Sequence, residues 1–160
     1  VIESKQPMLM ARNMTVTVDI DEKTQIQGDA FWLRQAVANL VQNAIDFSRS
    51  RGEIAICTRS DGTAVRLMVE DSGATIPDYA MEKIFDKFYS LKRPGSGRKS
   101  TGLGLNLVRQ VALLHGGNIE LQNRSSGGFR AMLTLPTRIE SQAKRRSGPP
   151  VPAPPLRGCR

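Results

Sequence analysis

The sequence predicts a two-layer α/β (α+β) sandwich: a mixed, mostly antiparallel sheet with about three helices on one face. Three observations point to it. Strand-like runs come in neighbouring pairs, 53–59 with 63–71 and 118–123 with 129–135, each joined by a turn rich in serine and glycine. Helix-period stretches stand between the pairs and do not alternate strictly with single strands. The 160-residue length holds one domain, and no apolar run approaches the roughly 18 residues that span a bilayer.

The chain opens on a polar stretch without an initiator methionine and reads as a fragment. Residues 5–12, with Met8, Leu9 and Ala11, suit a short helix, and the alternation of Thr15 to Ile20 suits a strand. Asp29 is placed to cap a long helix running to about Ser48, whose apolar positions Leu33, Val37, Leu40, Ala44 and Phe47 keep helical spacing. Arg51-Gly52 closes it. The turn Ser60-Asp61-Gly62 makes a hairpin of the first strand pair. A short helix is expected at 78–85, then a stretch rich in glycine, lysine and arginine at 92–101. A helix over 102–115, with Leu103, Leu107, Val111 and Leu114 in register, ends at Gly116-Gly117.

The net charge of +8 is unevenly distributed. From Thr137 onward Arg138, Lys144, Arg145, Arg146, Arg157 and Arg160 face Glu140 alone, so this segment carries +5 of it. Five of the nine prolines lie there too. A Pro-rich basic segment without apolar periodicity cannot build a core, so 137–160 is expected to be a disordered tail. A nucleic-acid-binding reading would rest on that tail alone, with no helix-turn-helix or aromatic-basic pattern behind it, and is set aside.

Four motifs carry chemistry. Asn39 and Asn43, at i and i+4, share one flank of the long helix with Asp46. They read either as a hydrogen-bonded structural set or as oxygen ligands for a hard cation such as Mg²⁺. Asp71-Ser72-Gly73 follows a strand directly. It reads as an Asp-initiated turn, or as a carboxylate that accepts from an exocyclic amine with room for a flat ring beside it. Ile84 to Tyr89 pairs aromatics with Lys87, as core packing or as a functional patch. Ser100-Thr101-Gly102-Leu103-Gly104-Leu105 feeds a helix N-terminus, where free N–H groups and the helix dipole favour an anion.

In this order, NLVQNA (39–44), DSGATIP (71–77), IFDKFY (84–89) and STGLGL (100–105) resemble the N, G1, F and G2 boxes of two-component sensor histidine kinases. The run YSLKRPGSGRKSTGLGL is also similar to kinases of the CreC type. The resemblance covers about residues 5–136. It implies the Bergerat ATP-binding fold, shared with gyrase-type ATPases and Hsp90-type chaperones, with ATP and Mg²⁺ as cofactors. It also implies residues 1–13 as a connector from a helical dimerisation domain outside this chain, 14–136 as the catalytic domain and 86–101 as a mobile lid. By position, Asn43 would bind Mg²⁺ with Asn39 supporting it, Asp71 would receive the adenine amine, and Gly73 and Ile76 would line the adenine site. Lys87, Arg98, Lys99, Ser100, Thr101 and the Gly102, Leu103, Gly104, Leu105 backbone would approach the phosphates. The implied setting is the cytoplasmic part of a membrane-anchored bacterial sensor, with a histidine-bearing dimerisation domain and a response regulator as partners.

Two positions depart from the family pattern. Thr75 replaces the second glycine of D-x-G-x-G, adding bulk and a φ restriction near the base. Asp46 stands where many members carry Lys or Arg. Both favour an alternative reading, a degenerate nucleotide-sensing domain with little kinase activity. Asn39 stands where gyrase-type relatives have a glutamate base, which argues against water activation. His115, the one histidine, falls at a helix end and suits a bond to helix carbonyls. The phosphate acceptor is therefore expected outside this chain.

Overall fold

The computed structural model describes residues 1–21, 25–93 and 100–137. Arg98, Lys99, the centre of the expected lid and the tail beyond Thr137 lie outside those residues. Five strands, β1 (Thr15–Asp19), β2 (Glu53–Ser60), β3 (Ala64–Asp71), β4 (Asn118–Asn123) and β5 (Phe129–Pro136), form one sheet in the order β1-β2-β3-β5-β4. β1 runs parallel to β2 and every other pair is antiparallel, which gives the expected mixed sheet. The helices are α1 (Gln6–Ala11), α2 (Ala30–Phe47), α3 (Asp78–Met81) and α4 (Gly104–Leu114). Ala36, Leu40, Val41, Ala44 and Ile45 of α2 meet Val108, Val111 and Ala112 of α4. Beneath them lie Ile54, Val69, Ala131 and Leu133 of the sheet, so both helices cover the same face.

Local signals behave as their chemistry dictates. The Asp29 carboxylate accepts the N–H groups of Phe31 (2.9 Å) and Trp32 (3.2 Å), satisfying donors that the first helical turn leaves open. In the first hairpin Asp61 accepts from the Thr63 hydroxyl and from the Thr63 and Ala64 N–H groups. Those bonds, with Arg66, hold its carboxyl well below the usual range.

Boundaries shift where tertiary contacts intervene. The helix expected at 78–85 stops at Met81. Beyond it the chain folds into three-residue turns, with Asp86 N–H bonded to the Lys83 carbonyl and the Phe85 carbonyl taken by the Asn106 side chain (2.9 Å). α4 begins at Gly104, because Gly102 sits at φ +68°, outside helical space. Residues 1–13 pack on the domain: Leu9 is buried in the core, and the Arg12 guanidinium donates to the Ile45 and Ser48 carbonyls at the end of α2.

His115 does more than close a helix. Its Nδ1 donates to the Val111 carbonyl (2.8 Å) and its Nε2 accepts the Asp29 N–H (3.0 Å), so the neutral ring bridges the end of α4 to the start of α2. Truncation to alanine orphans the Asp29 donor and empties a buried site. His115→Ala should cost about 2 kcal/mol, seen as a melting temperature lowered by roughly 5 to 10 °C. An unchanged melting temperature would show that the bridge contributes nothing.

Candidate functional site

A cavity opens between α2, the end of β3 and the start of α4. Leu40, Ala44 and Phe47 of α2, Val69 of β3 and Ala131 of β5 give it an apolar floor. Asn43, Asp71, Thr75 and Ser100 supply polar side chains, and Tyr89 to Leu91 with Gly102, Gly104 and Leu105 form the opposite wall. The cavity follows α2. A Cβ on Gly73 would lie 2.3 Å from the Phe47 carbonyl oxygen, so the loop after Asp71 abuts the C-terminal end of α2. Gly104 faces Asn39, with Oδ1 3.3 Å from where its Cβ would sit. Eight residues separate Asn39 from Phe47, about 12 Å of helix. The site is therefore long, with a carboxylate at one end and a helix start at the other.

Asp71 is buried at the end of β3. Burial pushes its carboxyl up from an ordinary 3.8 to about 6, against the opposing pull of the Gly73 N–H (2.7 Å), the Arg124 charge and the Phe129 N–H. Arg124 also donates to the Asp71 carbonyl (2.8 Å). Such a carboxylate costs stability, which is typical of a group kept for a task. Between pH 4 and 6 the folded state holds this proton while the unfolded state has lost it. The group's contribution to stability therefore falls as pH rises through that window, by roughly 3 kcal/mol in all. A ligand amine prefers the ionised form. Adenosine, which carries no titrating phosphate, should accordingly bind more tightly as pH rises through about 6 and level off above it. Asp71→Asn should flatten the profile and weaken binding by about 1.5–3 kcal/mol. A pH-independent affinity in the unsubstituted chain would mean that another group reads the base.

The predicted residues do not all converge. Asn43, Asp71, Ile76, Ser100, Gly102, Gly104 and Leu105 line the cavity, and Asn39 stands behind Gly104. Gly73 does not line it. It is required by the close approach to Phe47. Lys87, Thr101 and Leu103 are exposed and outside the cavity wall. The aromatic motif divides: Phe85 packs on the core with the Arg109 guanidinium 5.6 Å from its ring centre, whereas Phe88 points outward at φ +66°. Gly102 holds that segment in place, accepting the Phe88 N–H (3.0 Å), and any Cβ on it would lie 2.5 Å from the Phe88 backbone.

Among the described residues no side chain caps the start of α4, so the first turn of that helix, with Gly104 and Leu105 on the cavity wall, suits an anion. Among the described residues the Asn39 and Asn43 amides make no hydrogen bond, which leaves neutral oxygen donors available to a hard cation. Thr75 lines the cavity without positive φ, so the expected backbone restriction has no cost there. Asp46 pairs with Arg93 at 2.7 Å. Arg124 and Gly128, which support Asp71 from the β4–β5 turn, carry no recognisable sequence signal as site residues, since their role depends on strand pairing.

Residues 28–139 match the family described as histidine kinase-, DNA gyrase B-, and HSP90-like ATPase. The chain belongs to this family. Among its relatives the sensor protein CreC of Escherichia coli (strain K12) is 41% identical over 135 residues, covering 84% of this chain and 28% of CreC. The chain thus spans little more than a quarter of that relative's length. The solved catalytic domain of histidine kinase ThkA superposes with a TM-score of 0.75 at 30% identity, covering 85% of this chain and 88% of that domain. ThkA in complex with the response regulator protein TrrA gives a TM-score of 0.69 at 29% identity, covering 84% and 37%. This ATPase-family domain therefore has the fold of histidine kinase catalytic domains, as the four motifs implied. No described helix is long and apolar enough to cross a membrane.

Proposed function

We propose that this chain is the ATP-binding catalytic part of a sensor histidine kinase. It binds Mg-ATP and passes the γ-phosphoryl group to a histidine on a separate helical dimerisation domain, for relay to a response regulator. The observation that carries the reading is the convergence of Asp71, Asn43 and the uncapped start of α4 on one elongated cavity. Asp71 accepts the adenine amine while Ile76 and the apolar floor enclose the ring. The N–H groups of Gly104 and Leu105, with Ser100, receive the phosphates. Lys87 and Thr101, exposed beside the cavity, reach the phosphates only by turning inward, and Arg98 and Lys99 are proposed as further phosphate contacts. Magnesium fits the amide oxygens of Asn43 and, behind it, Asn39, and when bound it would neutralise charge on the transferring phosphoryl group.

Transfer breaks the bond between the γ-phosphorus and the β–γ bridging oxygen, forms a phosphorus–nitrogen bond and releases ADP. Asn39 cannot take a proton from water, so the chemistry rests on positioning. His115 is an unsuitable acceptor: its ring is buried and both nitrogens are engaged. The complex of ThkA with a response regulator supports a regulator as partner of the parent protein here. The proposed setting is the cytoplasmic side of a membrane-anchored bacterial sensor, with 1–13 as the connector and 137–160 as a tail without a role in the site.

The test is radiolabelled Mg-ATP given to this chain alone, to His115→Ala, and to the chain mixed with a dimerisation domain bearing its histidine. Almost no label is expected on the chain alone. Slow acid-labile labelling of the added domain is expected in the mixture, because the proximity given by a covalent connection is lacking. Rapid labelling of His115, or none of the added domain, would overturn the reading.

A further inference from the structure

Asp46, one of the two positions that depart from the family pattern, lies one helical turn beyond Asn43 on the same flank of α2, and its side chain is only 12% exposed. One carboxylate oxygen pairs with the Arg93 guanidinium at 2.7 Å, and the other accepts the Gln42 amide at 3.0 Å. Gln42 in turn accepts the Lys5 ammonium at 2.7 Å. A negative charge one turn from Asn43 repels the phosphates of a nucleotide in the cavity unless a cation neutralises it. Arg93 is that cation, and it sits two residues beyond the cavity-wall residue Leu91. Its Nε is buried and has no hydrogen-bond partner among the described residues. A guanidinium fork suits a phosphate as well as a carboxylate.

We propose that Arg93 is a phosphate-binding residue that exchanges between Asp46 and the nucleotide. Paired with Asp46, it screens the carboxylate. With a triphosphate in the cavity it turns to the phosphate oxygens, and Asp46 keeps Gln42, which Lys5 steadies from the N-terminal segment. Asp46 is thus a competitor for the ligand-binding cation as well as its holder. This inference rests on the reading of the cavity as an ATP site.

The test is titration of the whole chain with a non-hydrolysable ATP analogue and, separately, with adenosine, for Arg93→Gln, Asp46→Asn and the double variant, each checked by thermal melting. Arg93→Gln should weaken the triphosphate about tenfold and leave adenosine within about twofold. Asp46→Asn should tighten the triphosphate several-fold, since it removes both competitor and repulsion. The double variant should fall between Arg93→Gln and the unsubstituted chain. Equal triphosphate affinity in Arg93→Gln, or weaker binding in Asp46→Asn, would overturn the exchange while adenosine binding upheld the site. If the unsubstituted chain bound neither ligand, the ATP reading and this proposal would fall together.

Discussion

Asn43→Ala is expected to bind ATP no more tightly with magnesium than without it. The side chain lies half-buried on α2, lines the cavity, and makes no hydrogen bond among the described residues, so its removal leaves no buried partner orphaned. Alanine is also the best helix former, so α2 should persist and the melting temperature should hold. What disappears is an oxygen donor. Groups that merely support metal ligands change affinity by about 10–100-fold, and a direct ligand should reach the upper end or beyond. Calorimetric titration with a non-hydrolysable ATP analogue, with and without magnesium, measures the difference. A folded variant with undiminished magnesium dependence would remove Asn43 from the metal site and leave its place on the cavity wall unexplained.

Gly128→Ala should be among the most damaging single-atom additions in this domain, and Gly127→Ala is its internal control. Both glycines lie in the β4–β5 turn with left-handed backbones, at φ +85° and +87°, where an alanine costs about 1–2 kcal/mol. Around Gly127 nothing lies within 4 Å of a new Cβ, so backbone strain is the whole cost. At Gly128 that Cβ would lie 2.0 Å from the carbonyl oxygen of Asp71, and backbone must move. The expected loss there is about 3 kcal/mol or more, together with displacement of the Asp71 carboxylate, the proposed acceptor of the adenine amine. Thermal melts of the two variants and adenosine binding by Gly128→Ala measure both effects. Similar melts for the two would show that the turn moves away from Asp71 at little cost.

Features whose cause is local are legible in the amino-acid sequence. The Asp29 cap, the Asp61 turn and the helical stripe of α2 depend on residues within a few positions of each other, and each forms as expected. Asn43, Asp71 and the glycines at the start of α4, Gly102 and Gly104, stand out because their residue types are unusual at a core edge, a strand end and a helix start. Boundaries are less legible. The segment after Met81 leaves the helix for three-residue turns, and Asn106, on another element, takes the Phe85 carbonyl. The aromatic motif splits into a packed Phe85 and an outward Phe88, and no periodicity rule distinguishes the two rings.

The sequence alone determined the fold class and the family and singled out Asn43 and Asp71, which line the cavity, because periodicity, turn residues and four ordered motifs act through short-range rules and residue identity. The tertiary structure decided how those pieces meet. Arg124, Phe129 and Gly128 reach Asp71 only because β5 pairs with β3. His115 joins α4 to α2 across 86 residues of chain. Arg93 finds Asp46 only when the segment after Tyr89 crosses the flank of α2. Such contacts arise from chain closure and burial, which join residues far apart in sequence, and no local pattern encodes which distant partner a side chain will meet.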